Sequence, residues 1–195
     1  MIIKMPLFYK VCKFLLTPIF KFYFRPIIIG KENIPTTGSI VIAGNHKHLM
    51  DQCLAIISTK RYICYMAKKE YFDNKMISWF FKLSGCIPVD RKNKDTNAKQ
   101  RAIEVLNKQG AIGIFPEGTR NKTKELLLPF KYGAVSMAKK TNSYIVPFAI
   151  LGDYKFRTKN LKIIIGKPFK VTDMDLEEAN NKLYDTIKEL LINNK

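Results

Sequence analysis

Short apolar runs alternate along this chain with segments whose apolar residues recur at helical spacing. Ser39–Gly44, Tyr62–Ala67, Cys86–Val89, Ala111–Phe115, Tyr144–Leu151 and Leu161–Ile165 read as strands. A turn and then a helix are expected over residues 45–59, and Phe72, Met76, Trp79, Phe80 and Leu83 fall at helical spacing in residues 70–83. Asp95 or Thr96 can cap a helix to about Lys108, with Ala102, Val105 and Leu106 inward. Tyr132–Lys140 reads as a further helix. Thr172 or Asp173 caps a last one that buries Leu176, Leu183, Ile187 and Leu190, with its acids early, as the helix dipole favours. This alternation predicts a single α/β layered domain, with a largely parallel central sheet flanked by helices. There is no internal repeat, and 195 residues suit one domain.

The first 29 residues differ from the rest. They are rich in Phe, Tyr, Ile and Leu, and Lys4, Lys10, Lys13, Lys21 and Arg25 interrupt them. Their longest uncharged stretch, Phe14–Phe20, is far short of the ~20 residues that a spanning helix needs. On a helical wheel Lys10, Lys13, Thr17, Lys21 and Arg25 share a face within roughly 120°. Phe8, Leu15, Ile19 and Phe22 lie away from it. Pro6 suits a helix start, and Pro18 is expected to kink or divide the helix. The pattern fits an amphipathic helix lying in the headgroup plane of an anionic membrane surface, where each basic residue adds about 1 kcal/mol of attraction. The bland alternative is a helix packed on the domain with snorkelling lysines. Residues 1–29 are accordingly read as an N-terminal membrane-associating segment and residues 30–195 as the catalytic domain.

Composition narrows the partners. The net charge is +18, from 34 Lys and Arg against 16 Asp and Glu, so anionic partners are favoured: lipid, nucleic acid or phosphorylated small molecules. No nucleic-acid-binding signature is present, and none is expected as a partner, although a basic nucleic-acid-binding protein is the rival class. Four cysteines without a CxxC pair, and only two histidines, argue against a zinc site. No small-residue cleavage site follows the first apolar run, so the cysteines are expected to be reduced, on the cytoplasmic side.

The residues that can carry chemistry sit where apolar runs end, which is where an α/β fold presents functional groups. His46 follows the first of these runs and Asp51 comes five residues later. In one continuous helix the two would be about 140° apart. With His46 in the turn and Asp51 opening the helix, the carboxylate can fold back onto an imidazole nitrogen. That contact sets the tautomer and stabilises the imidazolium formed when the other nitrogen takes a proton. There is no GxSxG nucleophile, so such a dyad suits direct activation of a substrate hydroxyl. His48 is a rival base, read as a surface residue at the helix start. Phe115–Arg120 follows another strand. There Gly118 allows close backbone approach, Arg120 offers a planar fork for phosphate and Thr119 a hydrogen bond. Glu117 could contact a substrate hydroxyl or orient Arg120. Arg91 is a second candidate phosphate ligand, and Val146–Ile150 reads either as core or as the wall of an acyl pocket.

Together these elements resemble the glycerophospholipid acyltransferase family, especially the 1-acylglycerol-3-phosphate acyltransferases. The pattern NHxSxxD is similar to Asn45–Asp51, and FPEGTR appears unaltered at Phe115–Arg120. GxIPVxR matches Gly85–Arg91 and VPxxI matches Val146–Ile150. Ala67–Glu70 resembles AKxEL, and Pro129–Ala134 resembles PFKxGA. The one departure is His48 in place of the usual Ser. The resemblance implies transfer of an acyl group from acyl-CoA or acyl carrier protein to a lysophospholipid acceptor, making phosphatidic acid on the cytoplasmic face of the cell membrane. It implies His46 as general base and Asp51 as its partner, with no metal or resident cofactor. Glu117, Gly118, Thr119 and Arg120 become acceptor-binding residues, supported by Arg91 and Lys68. Glycerol-3-phosphate or another lysolipid is the alternative acceptor.

Overall fold

The computed structural model describes residues 3–90 and 95–194. Seven strands run in the order β1 (Ile27–Ile29), β2 (Ile40–Gly44), β3 (Ile63–Lys68), β4 (Ile87–Val89), β5 (Ala111–Ile114), β6 (Tyr144–Leu151) and β7 (Lys162–Ile165). The helices are α1 (Leu7–Phe24), α2 (Asp51–Ile57), α3 (Glu70–Asp73), α4 (Ser78–Leu83), α5 (Thr96–Asn107), α6 (Gly133–Thr141) and α7 (Leu176–Ile192). The strands form one sheet of order β1-β7-β6-β2-β5-β3-β4, in which every pair is parallel except β6 with β7.

β2 lies at the centre and all five of its residues are buried. Helices cover both faces of a parallel sheet, which is why its strands read as unbroken apolar runs. Val41 and Ala43 face the layer built from Ala102, Leu106, Ala134, Ala138, Leu183 and Ile187 of α5, α6 and α7. Ile40 and Ile42 face Leu54 and Ala55 of α2 and Phe20 of α1. Each large side chain so buried contributes about 1.5–3 kcal/mol.

Several local expectations change. The segment 70–83 is two short helices, because Asn74 adopts an extended conformation between them. The last helix is capped by Asp175, whose side chain accepts from Glu178 N, and not by Thr172 or Asp173. Starting later turns its face: Ala179, Leu183, Ile187 and Leu191 are buried, whereas Leu176 is exposed and Leu190 only half-buried. Ile27–Ile29 form an edge strand on β7 that the apolar pattern did not separate from the preceding helix. Arg25 divides them by closing α1 in the left-handed conformation, and Pro26 follows.

Helix α1 runs unbroken through Pro18. Tyr9 and Phe20 are buried, and the Lys13 ammonium donates to the carbonyls of Thr59 and Arg61 past the end of α2. Part of the expected basic stripe therefore faces the protein. The outward side carries Leu7, Val11, Phe14, Leu15, Ile19 and Phe22, flanked by the exposed Lys10 and Lys21. Phe8 joins this side to α4 through edge contacts with Trp79 and Phe80, both at 5.7 Å. None of the described helices is long and apolar enough to cross a membrane.

Candidate active site

The register of the central strands assembles the site. Ala43 of β2 pairs with Ile114 of β5, so the residues three positions beyond each, His46 and Glu117, leave the sheet side by side. Asn45 holds the opposite flank: its side chain donates to Ile150 O at 3.0 Å and accepts from Ile150 N at 2.7 Å, extending β2 onto β6. The chain then turns at His46. Its backbone N–H donates to Glu117 Oε1 at 2.7 Å, and its carbonyl accepts from Asn121 N.

Asp51 opens α2 and is completely buried. Its Oδ2 accepts from His46 Nδ1 at 2.8 Å and from the backbone N–H groups of Lys47 and His48, each at 2.7 Å. Its Oδ1 accepts from the Tyr154 hydroxyl at 2.8 Å. A carboxylate so fully solvated by donors stays an acceptor, so Nδ1 of His46 carries the proton and Nε2 has the free lone pair. The His46 ring stacks on Phe115, with centroids 4.1 Å apart and planes at 14°. Between described residues this His–Asp contact is the only ion pair.

Glu117, Gly118, Thr119 and Arg120 follow the carboxyl end of β5, and Lys68 ends the neighbouring β3. Glu117 is buried, and its second oxygen accepts from Leu128 N at 2.9 Å. Burial raises its pKa, while the two backbone donors pull the other way. Its carboxylate is committed to backbone, bracing His46 and the 120s loop, and it makes no ion pair with Arg120. Gly118 turns at φ 70°, and a Cβ there would press on the Lys131 side chain. Thr119 and Arg120 are exposed beyond it, and Lys68 is exposed at the end of β3. Neither the Lys68 ammonium nor the Arg120 guanidinium donates a hydrogen bond to another described residue. Arg91 lies outside the described residues. Val146, Phe148, Ala149 and Ile150 are buried in the core, and Ile150 is tied to Asn45.

His48 stacks on Tyr154, centroids 4.3 Å apart at 18°, and its Nδ1 accepts from Met50 N. Sequence reading passed over Tyr154 altogether. It lies 103 residues from Asp51, in no motif, and only the fold brings it there. Tyr65, whose hydroxyl is buried without a partner, was passed over for the same reason.

Comparison with known proteins places this geometry in context. The family model described as Acyltransferase matches residues 25–151. The chain is 35% identical over 170 residues to the 1-acyl-sn-glycerol-3-phosphate acyltransferase of Bacillus subtilis, covering 85% of this chain and 84% of that one. It is 33% identical over 137 residues to the protein of the same name from Borreliella burgdorferi, covering 69% of this chain and 54% of that one. In fold it is similar to the 1-acyl-sn-glycerophosphate (LPA) acyltransferase of Thermotoga maritima, with a TM-score of 0.75 at 24% identity, covering 94% of this chain and 81% of that one.

Proposed function

The chain belongs to the acyltransferase family, and from that premise we propose that it transfers a fatty acyl group from an acyl thioester to the free sn-2 hydroxyl of 1-acylglycerol-3-phosphate, giving phosphatidic acid. The observation that carries this reading is the His46–Asp51 pair. Its Nδ1 is committed to a buried carboxylate, and its Nε2 lies at the carboxyl end of the central strand beside Phe115–Arg120.

The chemistry follows from that geometry. His46 Nε2 takes the proton of the acceptor hydroxyl as its oxygen attacks the thioester carbonyl. The C–S bond breaks as the new ester C–O bond forms, and the imidazolium returns the proton to the departing thiolate. Asp51 holds the tautomer and offsets the transient positive charge. Arg120, Thr119 and Lys68, together with Arg91, supply the cations and donors for the acceptor phosphate, and Gly118 lets that phosphate approach the backbone. Glu117 serves by fixing the main chain of His46. The donor is acyl-CoA or acyl carrier protein; both present the same thioester.

The enzyme works peripherally on the cytoplasmic face of the cell membrane. The outward apolar side of α1, edged by lysines, supports this location, because such a face gains from both lipid burial and anionic headgroups. A panel of acceptors with labelled acyl-CoA and labelled acyl carrier protein tests the function. Transfer to 1-acylglycerol-3-phosphate, abolished in a folded His46→Ala protein, is the expected result. No transfer from either donor, or full activity in His46→Ala, refutes it.

A further inference from the structure

The Asp51 carboxylate is held unequally. Three donors converge on Oδ2, whereas Oδ1 depends on a single one, the Tyr154 hydroxyl. Cys53, Tyr65 and Glu117 lie near enough to feel the Asp51 charge, but none of them bonds to it. Burial, with the Asp51 charge second, holds the Tyr154 hydroxyl far above its ordinary pKa, so it stays a donor.

The Tyr154 ring is itself gripped. His48 stacks on one side of it. Phe24 of α1 meets it edge-on at 5.6 Å, and Phe20 lies at 6.5 Å. The residues that follow stay docked on the same helix end. Arg157 N donates to Tyr23 O at 2.6 Å, Phe156 packs on Tyr23 at 5.0 Å, and the Arg157 guanidinium sits 5.2 Å from the Phe22 ring. A hydroxyl so rigidly mounted can hold the second carboxylate oxygen in one place.

We infer that Tyr154 is a positioning residue for the transfer reaction: its hydroxyl locks Oδ1 of Asp51 and thereby fixes the plane of the carboxylate against the His46 ring. The inference rests on the reading of His46 and Asp51 as the reacting dyad. Without the hydroxyl, Oδ1 is a buried anionic oxygen with no partner. The carboxylate then turns to seek another donor, and the His46 Nδ1–H bond loses its alignment. Tyr154 acts only through Asp51, so its removal should slow the chemical step without weakening substrate binding.

The test is Tyr154→Phe, which keeps the ring and its packing. Loss of one charge-assisted hydrogen bond predicts a fall in kcat of about ten- to hundredfold with acceptor KM unchanged. The discriminating measurement is a double-mutant cycle with Asp51→Ala, which leaves no side-chain oxygen for Tyr154 to hold. If Tyr154 acts only through the Asp51 carboxylate, the Phe substitution causes little further loss in the Ala background. Additive losses, or a rise in KM in place of the fall in kcat, overturn the inference and leave Tyr154 a packing residue.

A second arm needs no turnover. The chain has two histidines, and Nδ1 of His48 accepts a hydrogen bond, so a protected imidazole Nδ1–H signal belongs to His46. NMR should show that signal in the wild type and its loss to solvent exchange in Tyr154→Phe. An unchanged signal refutes the positioning role whatever the activity. A wild type that transfers to no acceptor refutes the proposed function instead.

Discussion

Replacing Asp51 by Asn separates geometry from charge. Three donors converge on Oδ2, so the amide oxygen must take that place. The amide nitrogen then faces the Tyr154 hydroxyl, which can turn to accept. The hydrogen-bond frame survives, and the cost to folding should stay below about 2 kcal/mol. The anion is what disappears. A carboxylate beside an imidazolium gains about 4 kcal/mol at an effective dielectric near 20, of which a neutral amide acceptor recovers about 1 kcal/mol. A net loss of about 3 kcal/mol, falling only on the charged state reached during proton transfer, is a drop in kcat of about two orders of magnitude. Asp51 is fully buried and touches no substrate, so acceptor KM should stay within about twofold. Steady-state rates with labelled donor, on protein shown by thermal unfolding to be folded, give both numbers. A folded Asp51→Asn enzyme within about fivefold of wild-type kcat would refute the claim that the Asp51 charge stabilises the imidazolium.

Arg120→Ala should raise acceptor KM by about ten- to a hundredfold with less effect on the donor, and Arg120→Lys should recover only part of it, since an ammonium does not reproduce the fork; equal KM values in all three proteins would remove Arg120 from phosphate recognition. Phe14→Glu with Leu15→Glu places charge on the outward side of α1 without disturbing the buried Tyr9 and Phe20. Co-sedimentation with anionic vesicles should fall at both low and high salt, because apolar burial is lost; undiminished binding would place the lipid contact elsewhere. Arg61 donates to the carbonyls of Pro35, Thr37, Gly38 and Gln109, at 2.6–3.2 Å, tying two loops at the amino-terminal edge of the sheet. Arg61→Met should therefore cost about 2–3 kcal/mol in urea unfolding while leaving kcat of the folded enzyme unchanged, and a stability loss under about 0.5 kcal/mol would contradict the clamp.

What could be read from the sequence follows a physical boundary. Strands buried on both faces announce themselves, and the runs around β2, β5 and β6 did so because no solvent-facing residue breaks them. Asp95 was legible as a cap because the signal is local: the carboxylate reaches three residues along its own chain to Ala98 N. The same reasoning misplaced the start of α7, where Thr172, Asp173 and Asp175 are all competent caps and tertiary packing chooses Asp175. Nor did it say which side of α1 faces the protein. Periodicity shows that two sides differ, but the carbonyls past the end of α2 decide that Lys13 turns inward. His46 and Asp51 could be paired from sequence because both lie on one turn. Tyr154 and Glu117 could not be assigned their partners, because those contacts arise from strand register. Moving β5 by one residue against β2 would separate Glu117 from His46 N, and losing the hold of α1 on residues 154–157 would free Tyr154 from Asp51. The dyad is thus written in a heptapeptide, whereas its rigidity is a property of the whole sheet and of the helix packed beside it.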